Sequence, residues 1–161
     1  MRHLLVSGLL WFSAVGCGLM AGVYFAFSTF VMASLARVSP AAGIAAMNAI
    51  NVEIVRSLFI PLFMGTTLAA AVLALLALFS WSEPGSAALL AAGIVYVAGM
   101  FAVTMSFNVP LNDALAAVDP VSREGVALWT NYQRDWSFWN HVRTLASLGA
   151  ALFFTMAIAA G

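Results

Sequence analysis

Charge is the first thing that this sequence lacks. Only 7% of its 161 residues are charged, lysine does not occur, and six arginines balance six acidic residues. Soluble domains carry about 25% charged residues, so this composition excludes an ordinary soluble protein. A net charge of zero without a basic patch also argues against nucleic acid as a partner.

Cysteine and histidine are scarce as well. The one cysteine, Cys17, cannot form an internal disulfide or a cysteine-rich metal site. Of the two histidines, His3 lies at the N-terminus and His141 near the end of the chain. A metal site built from two or three imidazoles of one chain is therefore excluded. Which residues would bind a metal, if the protein holds one, the sequence does not show. One histidine suffices as a single axial ligand, so haem or a metal ion bound through His141 remains an alternative.

Apolar residues, by contrast, form four long runs. They cover residues 4–36, 57–80, 87–107 and 142–160, and a helix needs about 20 residues to cross a bilayer. We predict an all-α integral membrane four-helix bundle that is one domain over 1–161, with a short amphipathic helix in the first and third loops. Its surroundings are a lipid bilayer, with a bacterial inner membrane as the expected location.

Four crossings place both termini on one side of the membrane and the loops 37–56 and 108–141 together on the other. One arginine, Arg2, precedes the first run, whereas four lie in the two loops: Arg37, Arg56, Arg123 and Arg134. The positive-inside rule therefore predicts cytoplasmic loops.

A pair of small residues in the first run bears on oligomerisation. Gly18 and Gly22 are four residues apart, a spacing that lets two membrane helices approach closely. A homo-oligomer is therefore a possible assembly.

The most unusual segment is 129–144, which concentrates aromatic and polar residues. At about 100° per residue, six side chains share an arc of roughly 100° on one helix: Trp129, Tyr132, Trp136, Trp139, Asn140 and Arg143. Such a face suits a flat, partly polar organic molecule. The alternative is an interfacial aromatic belt from which Arg143 reaches outward. Ser122 is expected to cap the helix that carries this face.

Asparagines accompany the ends of the two loops. Asn48 and Asn51 share a helical side, where they either hold a ligand or bridge helices, because an unpartnered buried amide costs about 1–3 kcal/mol. Asn108 and Asn112 flank Pro110, which lacks an N–H and disfavours helix at the preceding residue. We therefore expect the third helix to stop or kink at Asn108, with the asparagines bonding the freed carbonyls.

Four motifs together resemble those of a known family. They are Gly22-Val-Tyr24-Phe-Ala-Phe27-Ser28, Met47-Asn48-Ala-Ile-Asn51, Asn108-Val-Pro110-Leu-Asn112, and the segment 129–144. In these motifs the chain resembles the anthrone oxygenase-like family of small four-helix membrane proteins, many of which were long filed as a domain of unknown function. The family takes its name from fungal members that convert anthrones to anthraquinones with O₂.

The resemblance implies a membrane oxygenase that oxidises an anthrone-like polycyclic aromatic to a quinone, with no cofactor beyond O₂. It implies that Arg143 and Asn140 hold the carbonyl oxygen. The remaining implied contacts are aromatic walls and a polar end, from Trp129, Tyr132, Trp136, Trp139, Asn48, Asn51, Asn108 and Asn112.

His141 is the first candidate for the base, because histidine exchanges protons near neutral pH. Tyr132 and Asp135 are weaker candidates for the base. In the case of Tyr132 the reason is that a phenol ordinarily loses its proton only near pH 10. In an unbroken helix, however, His141 points roughly 120–150° away from the aromatic face. Either the helix breaks near Asn140, or His141 serves another cavity, or its role is structural.

A second function fits the same residues. An aromatic pocket with polar ends is also typical of a non-catalytic membrane protein that binds a quinone, a lipid or haem. The sequence does not discriminate between this protein and an enzyme.

Overall fold

The computed structural model describes residues 2–161, without the side chains of Arg2 and His3. The side chains of Arg2, which entered the prediction of membrane orientation, and of His3 therefore lie outside the described part of the structure. Within the described part of the chain every regular element is helical, which confirms the all-α prediction.

Five helices make up this part of the chain. Four are long and apolar enough to cross a membrane: α1 (Leu4–Leu35), α3 (Phe59–Phe79), α4 (Ser86–Ala117) and α5 (Arg123–Ala160). The fifth, α2 (Pro40–Arg56), occupies the first loop. The protein is an integral membrane protein built as a four-helix bundle, as predicted.

Serine caps begin the two helices at the loop end of the bundle. The Ser39 hydroxyl accepts a hydrogen bond from the N–H of Ala42 at 3.3 Å, and Pro40 opens α2 where its missing N–H is harmless. The Ser122 hydroxyl accepts from the N–H of Gly125 at 2.9 Å. Ser122 therefore caps α5, as the sequence predicted.

Of the two outcomes expected at Asn108, a stop or a kink, the structure excludes the stop, because the third span continues past it. A π-helical segment, Thr104–Asn108, runs directly into the α-helical Val109–Ala117. The N–H of Val109 donates to the carbonyl of Thr104, five residues earlier. This wider turn accommodates Pro110, which has no N–H of its own, without ending the helix. The third loop consequently shrinks to residues 118–122.

Two buried apolar clusters lie one above the other in the bundle. The spanning cluster draws on α1, α3, α4 and α5 and includes Tyr24, Leu73, Tyr96 and Phe154. The loop-side cluster lies at the other end and consists of Met32, Ile44, Met47, Leu115, Trp129, Tyr132 and Trp136. Its members come from both loops and their flanking helices, so the two loops do lie together.

The glycine pair of the first run faces outward. Gly18 and Gly22 are exposed, and no described atom lies within 4 Å of a Cβ added at either position. The pair is therefore accessible to another helix, and a homo-oligomer stays a prediction.

Helices α3 and α4 pack closely at Gly93, so we predict that a larger residue there lowers the stability of the protein. A Cβ at this position would lie 2.5 Å from the Cβ of Ala74 and 2.6 Å from the carbonyl oxygen of Ala70. Gly93→Ala should destabilise the protein by about 1–3 kcal/mol, because backbone must move. Gly8→Ala is the control, since no described atom lies within 4 Å of its added Cβ. Thermal unfolding in detergent should show a lower Tm for Gly93→Ala alone; equal Tm values would contradict this packing.

Candidate functional site

One face of α5 is buried from the loop end into the interior of the bundle. Trp129, Tyr132, Trp136, Asn140 and Arg143 are all buried along it. The three rings stack in sequence, with centroid distances of 5.6 Å and 6.1 Å. The shared face that the sequence predicted is present. The alternative of an interfacial belt is wrong, because these rings and Arg143, only 5% exposed, lie inside the bundle.

The guanidinium of Arg143 is held by two helices besides its own. Its Nη2 donates to Oδ1 of Asn140 at 2.8 Å, and its Nη1 donates to the hydroxyl of Thr104 at 3.5 Å. Its central carbon lies 4.3 Å from the ring centroid of Tyr24 and 5.1 Å from that of Trp136. Both ring faces are near enough for cation–π attraction.

No carboxylate compensates this charge in the described part of the chain. The ion pairs found there join Arg56 to Glu53 and Arg134 to Asp135, all on the protein's exterior. Arg143 is thus a buried cation whose only described partners are neutral. In membrane helices a buried ionisable side chain is by default a functional candidate.

Asn140 anchors a closed ring of hydrogen bonds beside Arg143. Its amide nitrogen donates to the carbonyl of Tyr24 at 2.8 Å and to the hydroxyl of Ser28 at 2.7 Å. The hydroxyls of Ser28 and Thr144 are 3.1 Å apart, and Thr144 donates back to the carbonyl of Asn140 at 2.8 Å. This ring fixes the amide, so its oxygen points to the guanidinium.

Two π-helical segments supply the partners from the neighbouring helices. Ser28 lies in Phe27–Val31 of α1, and Thr104 lies in Thr104–Asn108 of α4. A π turn inserts an extra residue and rotates the following side chains, and such turns are frequent at functional sites. Both segments border the Arg143 site.

A cavity of about 180 Å³ opens beside Arg143, between α1, α2, α3, α4 and α5. Its aromatic lining comes from Tyr24, Phe27, Phe59, Phe63 and Trp136, and its polar lining from Asn51, Thr104, Asn112 and Arg143. Ligand pockets commonly measure about 300–1,000 Å³, so a three-ring ligand also needs space at the rim. The rim includes Val55 and Met105, which are exposed to 62% and 50%.

Three residues that line this cavity carry buried N–H donors without a hydrogen-bond partner among the described residues. These donors are Nε of Arg143, Nε1 of Trp136 and the amide nitrogen of Asn51. The amide oxygen of Asn112 already accepts from the Tyr132 hydroxyl at 2.8 Å. The cavity therefore offers hydrogen bonds chiefly to a ligand that accepts them.

The other asparagines serve helix contacts. Asn48 donates to the carbonyl of Leu115 at 3.3 Å, and Asn108 donates to the carbonyl of Trp136 at 3.3 Å. Each has a buried amide oxygen without a described partner, but neither residue lines the cavity. Of the four predicted asparagines, the structure brings Asn51 and Asn112 to the cavity.

Three of the four predicted aromatic walls, Trp129, Tyr132 and Trp139, lie outside the cavity lining. Trp129 packs over Gly43 of α2, where an added Cβ would lie 2.6 Å from its ring. Trp139 is half-buried and stacks on Phe107 at 3.6 Å, with 8° between the ring planes. It belongs to the edge of the predicted arc, where α5 meets the outer side of α4. Tyr132 reaches the cavity only through Asn112.

His141 is exposed and does not line the cavity. Helix α5 continues through Asn140 without interruption, which excludes the break that would have turned His141 inward. Any haem or metal ion on His141 would thus lie outside this cavity. Among the side chains that the structure describes, those of residues 4–161, no three of His, Cys, Asp or Glu come together as a metal site.

Three residues that contact Asn140 or Arg143 have no role assigned from the sequence: Tyr24, Ser28 and Thr104. Tyr24 and Ser28 were part of a quoted motif, and Thr104 preceded another, but each lies in ordinary apolar membrane sequence. Only their positions opposite Asn140 and Arg143 distinguish them. A polar residue facing the buried side of a span would have been the available signal.

A family model described as anthrone oxygenase matches residues 56–153, more than half of the chain. The chain belongs to the anthrone oxygenase family. Searches of curated proteins and of solved structures gave no match. The matched range includes Arg143 and Asn140, whereas Tyr24, Ser28 and Asn51 precede it.

The different positions of two tryptophans give a binding prediction for this anthrone oxygenase family member. Trp136→Leu should weaken binding of 9,10-anthraquinone by roughly two- to tenfold, because an aromatic contact is worth about 0.5–1.5 kcal/mol. Trp139→Leu removes the same group outside the cavity and should leave binding unchanged. Equilibrium titration in detergent compares the two Kd values. A larger loss for Trp139→Leu would place the ligand elsewhere.

Proposed function

We propose that this protein oxidises an anthrone-like polycyclic aromatic to a quinone with O₂ in the cavity beside Arg143. The observation that carries the proposal is a buried guanidinium that has no carboxylate partner among the described residues and lies on the wall of an aromatic cavity, in a member of this family. The rings of Tyr24, Phe27 and Trp136 supply flat apolar surfaces for such a substrate.

The reaction balances without an added reductant. Anthrone, C₁₄H₁₀O, and O₂ give anthraquinone, C₁₄H₈O₂, and water. Loss of one methylene proton yields the electron-rich anthrolate, which passes an electron to O₂. Combination of the resulting radicals forms a carbon–oxygen bond and a peroxide anion, which takes up the proton that the substrate first lost. Loss of the second methylene proton with cleavage of the O–O bond then forms the quinone carbonyl, and this proton combines with the leaving hydroxide to give water. The substrate supplies all the electrons, so O₂ is the only co-reactant that the proposal needs.

The residues of the cavity have distinct roles in this proposal. Arg143 and the indole N–H of Trp136 stabilise the negative oxygen of the anthrolate, and a water-poor cavity strengthens that attraction. Asn140 is a positioning residue, since its amide oxygen holds the guanidinium at 2.8 Å. Asn51 and Asn112 contact polar substituents at the α2 side of the cavity.

One observation favours the second candidate, a protein that binds a quinone without converting it. Among the described residues that line the cavity there is no carboxylate and no imidazole, so a conventional base is missing. A quinone has carbonyl acceptors at both ends and would satisfy the free donors without reacting.

Oxygen uptake distinguishes the two. With 1,8-dihydroxyanthrone in detergent, and after subtraction of spontaneous autoxidation, the protein should consume one O₂ per quinone formed. Arg143→Gln should lower kcat on the order of 100-fold, the usual effect of losing an oxyanion donor. His141→Ala should retain most of the activity, because His141 is outside the cavity.

A rate equal to autoxidation in the folded wild-type protein would reject the oxygenase and leave the binding protein. Loss of activity in His141→Ala, with an unchanged Tm, would restore His141 as the base and contradict the roles given above.

A further inference from the structure

We propose that the cavity binds its ligand as an anion, an acidic aromatic whose negatively charged oxygen lies on Arg143. This inference rests on the proposed function, since it concerns the same cavity and names the charge of the ligand that the cavity takes. It holds for a substrate, a product or a bound quinone that carries an acidic hydroxyl group, since each of these can ionise at oxygen.

Charge balance is the first argument. Arg143 lies on the cavity wall, is 5% exposed, and has no described carboxylate partner. The only other ionisable residue in the described lining is Tyr24, a phenol whose hydroxyl donates to the sulfur of Met100 at 3.5 Å and also lies close to the guanidinium. It is a phenol and not a carboxylate. Tyr132, the next phenol, bonds Asn112. With no acidic group facing the guanidinium, a negative ligand supplies the missing charge.

Hydrogen-bond balance is the second argument. Nε of Arg143, Nε1 of Trp136 and the amide nitrogen of Asn51 are buried donors that found no partner in the described structure. Leaving a buried donor unpaired is costly, so a ligand that accepts several bonds is favoured. An anionic oxygen accepts more and stronger hydrogen bonds than a neutral hydroxyl, which also brings a donor of its own.

The absent base is the third argument. Since the described lining holds neither carboxylate nor imidazole, it offers no group to take a proton from the ligand. A ligand that enters already ionised, or passes its proton to water as it enters, needs no such group. The rings of Trp136 and Phe27 pack against each other, with centroids 5.5 Å apart and 55° between their planes, and both line the cavity. This aromatic wall favours an aromatic anion over a fatty acid.

The test uses 2-hydroxyanthraquinone, whose phenol and phenolate forms differ in visible colour and which is not oxidised further. Titration with pH in detergent, with and without protein, gives the pKa of the bound dye. An opposite charge within about 4–6 Å lowers an acid's pKa by about 1–3 units. We expect the bound dye to ionise at a pH about 1–3 units below the free dye in the same micelles.

Two variants assign this shift. Arg143→Gln should abolish it, whereas Arg134→Gln removes an exposed arginine of the same helix and should preserve it. A bound dye that ionises at or above the pH of the free dye, or a shift that survives Arg143→Gln, would overturn the proposal.

Wild-type protein alone also decides the matter if Arg143→Gln fails to fold. Anthraquinone-2-carboxylate should bind at least about tenfold more tightly than anthraquinone-2-carboxamide, its neutral isostere. Equal or weaker binding of the carboxylate, or no binding of either, would overturn the proposal.

Laurate should not displace the dye at matched concentration; if it does, the aromatic part of the proposal is wrong. Oxygen uptake is independent of these readouts, so a protein that shifts the dye but consumes no O₂ rejects only the oxygenase.

Discussion

A guanidinium inside a membrane bundle must be solvated by the protein itself, and for Arg143 this is done by three helices. Burying an arginine at the centre of a membrane helix costs about 2.5–3.5 kcal/mol on insertion scales. The amide oxygen of Asn140, the hydroxyl of Thr104 and the ring faces of Tyr24 and Trp136 offset part of that cost. These groups lie on α1, α4 and α5, so the position of one charge fixes how the three helices meet.

The same requirement explains the layered interior. The spanning cluster and the loop-side cluster are apolar, and the Arg143 site lies between Tyr24 of the first and Trp136 of the second. The π turns at Phe27–Val31 and Thr104–Asn108 occur in this layer. The hydroxyls of Ser28 and Thr104, one from each segment, point inward at this level of otherwise apolar helices.

Much of this arrangement could be predicted from the residues. The four spans, the Ser122 cap and the buried face of α5 follow from composition and helical periodicity, and an unbroken α5 places His141 outside, as that periodicity implied. The π turns could not be predicted, because their dihedral angles lie close to α-helical values and no sequence period marks them. The exclusion of Trp139 from the cavity depends on where α4 lies, which the periodicity of α5 does not contain.

The order of residues along α5 explains why the charge stays buried. Side chains on a helix lean toward its N-terminus, so Arg143 reaches back toward Asn140 and Trp136 and hence toward the loops. An arginine near the membrane surface would continue in that direction to reach water. Here the stacked rings of Trp136, Tyr132 and Trp129 occupy that path, and α2 covers them with Gly43 against the Trp129 ring. The stacked rings therefore close the path from Arg143 to the loops. The cavity beside Arg143 is the space that remains for a counter-charge. Keeping water out also keeps the local dielectric constant low, which strengthens the attraction of Arg143 for whatever negative oxygen enters.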